Sequence, residues 1–514
     1  MGLSSRCQLL SVFAFFLIFY ALIQWQPAWR DPDSFFHAKM GQLIHEQGLV
    51  QDFFWLPETV LSDHFADQHL FYHWLLAELN AFVSPDVAAK ILAVFLAALA
   101  VAGLFALLKY FQTPRAWVFT SFVGFSAYAA DRLNLAKAGS LALIWQLLII
   151  YGLFAKRPIL LAFAAFFYVW SHGSWPMGLI ILGAYLVTEF IIAKSQKQSF
   201  GVTRELMISS VAVLGGLLGG LIINPYFPKN LGFYWYQIVE VAVWGGSNKI
   251  QVGSEWYAPD AGALALAVAP MAFALFAAGW VLWRALQKAA LKFQIERARI
   301  LIFCFALMSG TFLLTLRSAR HLEYFFPYLA LFVASVWSYL IHAGALETAW
   351  QELQEWFGAF VKKYFTVFLS SLVIIFAVAN SGVLVSKYFR HNISWDHLKP
   401  ASDFVVGKVA AGEMIYNLDW DFFPELFRYN DQNVYVSGLD ARFLAARDFE
   451  AALVYQKNPP EARELQELMK KFGARYLILE KRKPREKTLD WLRANPDFEN
   501  IFENEESVVF VLSP

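Results

Sequence analysis

The chain has 514 residues, 58% of them hydrophobic, 18% aromatic and only 16% charged, with a mean hydropathy of +0.45. That balance excludes an ordinary water-soluble globular protein and points to a polytopic membrane protein. A formal charge of +1 argues against a nucleic-acid partner, which would demand a basic excess. Two cysteines, Cys7 and Cys304, both in or beside apolar runs, offer neither a disulfide framework nor a cysteine-based metal site.

The first apolar run, 9–25, follows Arg6 and leads into Trp25 and Trp29 without a small-residue cleavage site. We expect an uncleaved anchor whose tryptophans lie at the headgroups. Spans of about 20 apolar residues follow at 88–108, 261–283, 300–316, 322–341 and 365–385, and shorter runs at 117–130, 139–154, 159–170, 177–192 and 208–223. Together they predict roughly eleven crossings, the shorter ones buried inside the bundle.

Lysine and arginine near the span ends set the orientation. With a cytoplasmic N-terminus, the alternate loops hold Lys109 and Arg115; Lys156 and Arg157; Lys194, Lys197 and Arg204; Arg284, Lys288, Lys292, Arg297 and Arg299; then Lys362 and Lys363. The opposite loops, 30–86 and 224–260, are long and mixed or acidic. An odd number of crossings puts the tail outside, so the chemistry is expected on the periplasmic, extracellular or lumenal face.

Within the first outer loop, 35–49 and 69–82 read as helices lying along the membrane surface. Trp350, Leu353, Trp356, Phe357 and Phe360 recur at helical spacing before Lys362 and Lys363, an interfacial amphipathic helix on the other side. From about 391 the composition turns charged, with the apolar runs EMIYNL, NVYVSG, RYLILE and SVVFVL among helical patterns. The clearest helix is 460–472, with Leu465, Leu468, Met469 and Phe472 on one face and Gly473 as its stop. The expected organisation is a transmembrane catalytic domain over 1–390 and a soluble α/β domain over 391–514.

Asp31 and Asp33 flank a proline where the first span emerges. Such a pair either holds a hard divalent cation, which takes oxygen ligands and neutralises phosphate, or caps the following helix. Asp131, Arg132 and Lys137 cluster between two spans; Glu255 stands in VGSEWYAPD beside Trp256 and Tyr257; Arg317, Arg320 and His321 end a span in LRSARHLEYFFPY. Arginine suits bidentate phosphate contacts, although snorkelling explains it equally. Acidic residues and arginines gathered on one side of a membrane suit a lipid-linked phosphate, with cation and arginines stabilising the leaving group, or with a carboxylate as general base on an acceptor hydroxyl. In the first outer loop His37, His45, His64, His69 and His73 are dense. His69 and His73 have zinc-pair spacing but lack a third ligand, so contacts to sugar or phosphate are the stronger expectation.

These motifs resemble the GT-C glycosyltransferases, multi-span enzymes that use polyprenyl-linked sugars, and most of all the oligosaccharyltransferase catalytic subunits of the AglB and PglB type. The residues that carry the resemblance are DPDSFFH at 31–37, Asp131 in the next outer loop, SHGSWPMG at 171–178, GSEWYAP at 253–259 and RSARHLEYFFP at 317–327. It implies Asp31, Asp131 and Glu255 as ligands of a divalent cation, Mn²⁺ or Mg²⁺, with Asp31, Asp33 and Glu255 catalytic. It implies lipid-phosphate contacts from Arg320, Arg317, His321 and Lys137. Contacts to sugar or acceptor fall to His37, His69, Trp256, Tyr257 and Trp420. The sequence departs from that family at His37, where arginine is common, and at Asp131, which lacks an acidic partner two residues on. Instead of the family's Trp-Trp-Asp-Tyr-Gly motif the tail carries NLDWDFFPELFRYN, with Asp419, Trp420 and Asp421 at a comparable point.

The resulting expectation is a membrane glycosyltransferase that moves a sugar or oligosaccharide from a polyprenyl-phosphate or -diphosphate carrier to a protein, lipid or glycan acceptor, with membrane lipids around it. Within that class the alternative is a metal-independent monosaccharide transferase resembling protein O-mannosyltransferases, with Asp31 or Asp33 as base. A lipid-linked glycan flippase would place ionisable groups near mid-membrane. A non-catalytic assembly or receptor protein would tolerate replacement of the acidic loop positions.

Overall fold

The computed structural model describes residues 3–198, 201–243, 249–288, 291–357, 359–390, 392–457, 460–481 and 485–513. The chain is a polytopic helical protein with a C-terminal α/β region, arranged as two compact units. One comprises 1–25, 93–220 and 255–390; the other combines 391–514 with 26–92 and 221–254.

Among the described residues, eight helices are long and apolar enough to cross a membrane: Ser5–Ile23, Pro85–Tyr110, Met177–Ser195, Arg204–Ile222, Ala261–Gln287, Ile295–Arg317, Ala319–His342 and Val367–Arg390. Three more apolar helices, Ala116–Phe125, Gly139–Phe154 and Pro158–Ser171, are shorter. At about 1.5 Å per residue they fall below the roughly 30 Å of a hydrocarbon core. These eleven helices coincide with the runs read from the sequence, and the shortest are enclosed by their neighbours, as in Gly139–Phe154, where Leu141 to Leu143, Ile149 and Ile150 are buried. Burial grades across the first unit. In Ala319–His342, 72% of the apolar window is inside the protein, against 6% in Val367–Arg390, whose Val367, Phe368, Ile374, Ile375 and Val378 are exposed. Large aliphatic side chains turned outward on a long helix are stable against hydrocarbon, not water.

Small residues set the closest approaches. An added Cβ on Gly216 would lie 2.4 Å from the Ala162 carbonyl oxygen, and one on Gly220 2.7 Å from that of Phe166, so Arg204–Ile222 and Pro158–Ser171 pack backbone to backbone. At Gly124 the Phe16 ring occupies the space of a side chain, and the Tyr20 hydroxyl donates to the Gly124 carbonyl at 2.8 Å.

The second unit begins with β1 (Ala28–Trp29), which pairs antiparallel with β2 (Ile393–Ser394). Helices follow at Asp33–Gln47 and Leu70–Asn80, close to the ranges expected; an added Cβ on Gly41 would lie 2.5 Å from the Leu76 Cβ. In the tail, β3 (Met414–Asn417), β4 (Val434–Tyr435), β5 (Tyr476–Glu480), β6 (Phe498–Glu503) and β7 (Ser507–Leu512) form one sheet in the order β4-β3-β5-β7-β6. β3 pairs parallel with β4 and β5, and β7 antiparallel with β5 and β6. All four apolar runs read from the tail are strands, whereas β6 carries alternating charge and was hidden from that reading. Helix Ala462–Lys471 buries Leu465, Leu468 and Met469 against the sheet and stops at Gly473, whose φ of +68° only glycine adopts readily. The amphipathic segment is helical over Ala345–Phe357 and Ala359–Arg390; Gly358 lies outside the described residues, as do the side chains of Leu353, Trp356, Phe357, Phe360, Lys362 and Lys363.

Candidate functional site

In the first unit, two guanidiniums converge on one carboxylate at the ends of several apolar helices. Arg132 belongs to the short helix Ala129–Leu133, Glu255 to the 3-10 turn Ser254–Trp256, and Arg320 to the turn Ala319–His321 between two spans. Arg132 Nη1 lies 2.9 Å from Glu255 Oε2, and Arg320 Nε 2.9 Å from Glu255 Oε1. Arg132 also reaches Glu323 Oε2 at 3.5 Å. The backbone locks the turns together: the Ser318 hydroxyl donates to the Glu255 carbonyl at 2.8 Å, and the Ala319 N–H to the Tyr257 carbonyl at 2.8 Å. Trp256 stacks under the Arg320 guanidinium, 4.1 Å from ring centroid to Cζ, an attraction that also fixes the plane of the fork.

Burial alone would raise the Glu255 pKa, but the charges of Arg320, Lys137 and Arg132 outweigh it and hold the carboxyl well below the usual glutamate range. Glu255 is thus an anion at any physiological pH, and three cations surround it. Lys137 joins the cluster through this electrostatic reach. Arg317 is exposed at the end of its helix and His321 is half-buried in the turn beside Arg320.

Asp131 is part of a different pair. Its Oδ2 accepts from Lys387 Nζ at 2.9 Å, and Lys387 also lies 3.2 Å from the Ala127 carbonyl and 5.0 Å from the Tyr128 ring centroid. The divalent cation implied by the resemblance does not fit Asp131 and Glu255 as they are paired, because an ammonium balances one and two guanidiniums clamp the other. Among the described residues no three His, Cys, Asp or Glu side chains gather in a geometry that could hold a metal ion.

The same unit holds a polar ladder. His172 Nδ1 accepts from the Ser174 N–H at 3.0 Å and lies 2.7 Å from the Ser174 hydroxyl. That hydroxyl is 2.8 Å from the Tyr324 hydroxyl and 3.0 Å from that of Tyr168. Gln146 donates to Tyr168 and accepts from Tyr328, both at 2.6 Å. Glu323, His172, Ser174 and Lys387 were not singled out from the sequence. Glu323 and His172 stand inside quoted motifs, but only folding shows that they approach Arg132.

In the second unit the aspartate pair opens a helix. Asp31 Oδ1 accepts from the Asp33 N–H at 2.9 Å where helix Asp33–Gln47 begins, and Asp33 stands in its first turn. Four residues on, His37 Nδ1 lies 2.7 Å from His73 Nε2, and His73 Nδ1 lies 2.7 Å from Asp67 Oδ2. Asp67 Oδ1 accepts from the His69 N–H at 2.9 Å, and the His69 ring meets His37 edge-on at 5.0 Å. Burial would raise the Asp67 pKa, but His73 and His69 bring it below the ordinary aspartate value. Both His73 nitrogens are engaged in a buried Asp67–His73–His37 chain, to which His69 adds a ring contact on His37. Asp67 was missed because an isolated aspartate between aromatics carries no motif. Farther along, Asp419 is buried against Arg485, whose Nε lies 2.7 Å from Oδ2, while Trp420 packs on the hydrophobic face of the sheet.

No family model matches the chain, and neither does any curated protein. Solved structures do. The apo oligosaccharyltransferase of Archaeoglobus fulgidus superposes with a TM-score of 0.58 at 10% identity, over 93% of this chain and 70% of that one. Apo ArnT from Cupriavidus metallidurans gives 0.58 at 12% identity over 99% and 98%, and the arabinofuranosyltransferase AftD from mycobacteria 0.55 at 12% over 99% and 40%. With its apolar helices and this likeness over nearly its whole length, the chain is an integral multi-pass membrane protein with the fold of the GT-C glycosyltransferases.

Proposed function

We propose that the protein is a glycosyltransferase that moves a sugar or oligosaccharide from a polyprenyl-phosphate or -diphosphate carrier to a protein, lipid or glycan acceptor. The observation that carries this reading is the Arg132–Glu255–Arg320 cluster with Lys137 beside it. Cations already oriented by fixed carboxylates need little reorganisation when a phosphate gains charge, which is how preorganised sites lower a barrier. The likeness to ArnT, one structure of which is bound to undecaprenyl phosphate, and to an archaeal oligosaccharyltransferase in complex with dolichol-phosphate supports a polyprenyl carrier.

In this reading the arginines and Lys137 hold the phosphate, with Arg317 and His321 flanking the approach of the lipid. The bond between the anomeric carbon and the phosphate oxygen breaks, its electron pair leaves with the phosphate, and the acceptor oxygen bonds the anomeric carbon. The acceptor proton goes to a carboxylate acting as general base, for which Asp33 and Asp31 are the candidates read from the sequence. His37, His69, Trp256, Tyr257 and Trp420 remain the candidates for sugar and acceptor contacts. The pairing of Asp131 with Lys387 and of Glu255 with two arginines favours the metal-independent form over one in which Asp31, Asp131 and Glu255 bind Mn²⁺ or Mg²⁺. The alternation of basic loops supports a cytoplasmic N-terminus, with the site and the tail of residues 391–514 on the outer face.

The test is sugar transfer from a labelled polyprenyl-linked donor pool by protein in nanodiscs, with Mn²⁺ present or chelated, for wild type, Asp33→Asn and Arg320→Ala. We expect transfer to survive chelation and to fall at least about 100-fold in each variant. Transfer abolished by chelation would restore the metal-assisted form. Wild-type rates in Arg320→Ala would refute the phosphate site.

A further inference from the structure

His172 is a neutral donor close to a cluster of cations, and its tautomer is set by the chain itself. The Ser174 backbone N–H points at His172 Nδ1, and a backbone N–H can only donate, so Nδ1 is an acceptor and the ring proton resides on Nε2. The Ser174 hydroxyl is held in turn by Tyr324 and Tyr168, which keeps the imidazole from turning over. The Ser174 contact with Tyr324 seats this turn beside Glu323, which lies 3.5 Å from Arg132, and burial first, then the charges of Arg320, Arg132 and Lys137, push the ring's pKa down to about 3.

We propose that His172 is a phosphate-binding residue of this site, its Nε2–H hydrogen-bonding a non-bridging oxygen of the lipid-linked phosphate beside the Arg132 and Arg320 guanidiniums. The proposal rests on the transferase reading above and adds a residue to it. A neutral donor does something a fourth cation would not. It strengthens its bond as the phosphate oxygens gain negative charge, yet it leaves the salt bridges to Glu255 undisturbed, and no proton changes hands. His172 therefore acts on phosphate binding and on the step in which the carrier leaves, while the acceptor proton goes elsewhere. Ser174 is a positioning residue that acts only through the His172 ring.

The experiment measures binding of polyprenyl monophosphate to protein in nanodiscs, together with kcat and KM for transfer, in wild type, His172→Gln, His172→Ala, Ser174→Ala and Arg320→Ala. A hydrogen bond to a charged group sets the scale. His172→Ala should weaken phosphate binding and lower kcat by about 10- to 100-fold. His172→Gln, which retains an N–H near the Nε2 position, should recover most of that, and Ser174→Ala should show a loss of a few-fold. Nitrogen NMR shifts of the His172 ring should report the Nε2–H tautomer, unprotonated at pH 5. If His172→Ala and Ser174→Ala bind the phosphate like wild type while Arg320→Ala does not, the His172 proposal is overturned and the transferase reading stands. If Arg320→Ala also binds like wild type, the phosphate site itself is wrong. Should His172→Ala fail to fold, His172→Gln and Ser174→Ala still decide: a ring found as the Nδ1–H tautomer, or a glutamine variant as impaired as a null, would overturn the assignment.

Discussion

Substituting His397 by glutamine should remove a pH-dependent clamp from the tail. The residue follows β2 and precedes helix Lys399–Lys408. Its Nδ1 lies 3.1 Å from Glu425 Oε1, and its Nε2 lies 3.1 Å from Glu506 Oε2 and 3.5 Å from Glu480 Oε1. The Leu398 N–H adds a 2.7 Å bond to Glu425 Oε1. Burial disfavours the charged ring, but the Glu425 hydrogen bond and the charges of Glu425, Glu480 and Glu506 outweigh it and raise the pKa to about 9, from an ordinary 6.5. A folded pKa above the unfolded one stabilises the fold fully below about pH 6.5, and that stabilisation is lost as pH rises through about 9. At about 1.4 kcal/mol per unit the ceiling is roughly 3 kcal/mol, and the half-exposed Glu506 reduces it to about 2.

The assay is thermal unfolding of wild type and His397→Gln in detergent at pH 6, 8 and 10. At about 2–4 °C per kcal/mol for a unit of this size, wild type should melt about 4–8 °C above the variant at pH 6, and the two should converge by pH 10. A gap that stays constant or widens with pH would refute the reasoning, because it would mean the ring contributes as a neutral packing group.

Three further outcomes follow from the same geometry. Gly216→Leu drives a side chain into the Ala162 carbonyl and should cost about 1–3 kcal/mol by thermal unfolding, whereas Gly215→Leu, with nothing within 4 Å of an added Cβ, should be near neutral. Asp419→Ala leaves Arg485 buried without its counter-ion; a loss of about 3–5 kcal/mol in tail stability is expected, and it should shrink in the double variant Asp419→Ala/Arg485→Met. Because the arginines hold the Glu255 pKa below its ordinary value of 4.5, its stabilising contribution is present above that value and is lost only as pH falls through the lowered one. Glu255→Gln should thus lower transfer by a constant factor between pH 5.5 and 8, read from parallel pH–rate profiles.

The membrane class was legible because hydrocarbon imposes long apolar runs, and no folding is needed to see them. Every run read from the sequence is a helix. The tail strands showed as short apolar runs for the same reason, except β6, whose FENIFE pattern faces partly outward. The aspartates and arginines singled out as candidate site residues were also visible, since charged residues at span ends are few. Their pairing was not. Arg132 and Glu255 are separated by 123 positions, and Asp131 meets Lys387 from 256 positions away. Residue type cannot tell a carboxylate that waits for a cation from one already clamped by guanidiniums. The same holds for the histidines: sequence spacing pairs His69 with His73, whereas packing of Asp33–Gln47 against Leu70–Asn80 puts His37 on His73 and Asp67 behind it. Sequence determined where charge would gather along the chain, because local hydropathy forces it there. Which charges neutralise one another was decided only by tertiary structure, because electrostatic energy depends on distances of a few ångströms that chain order does not contain.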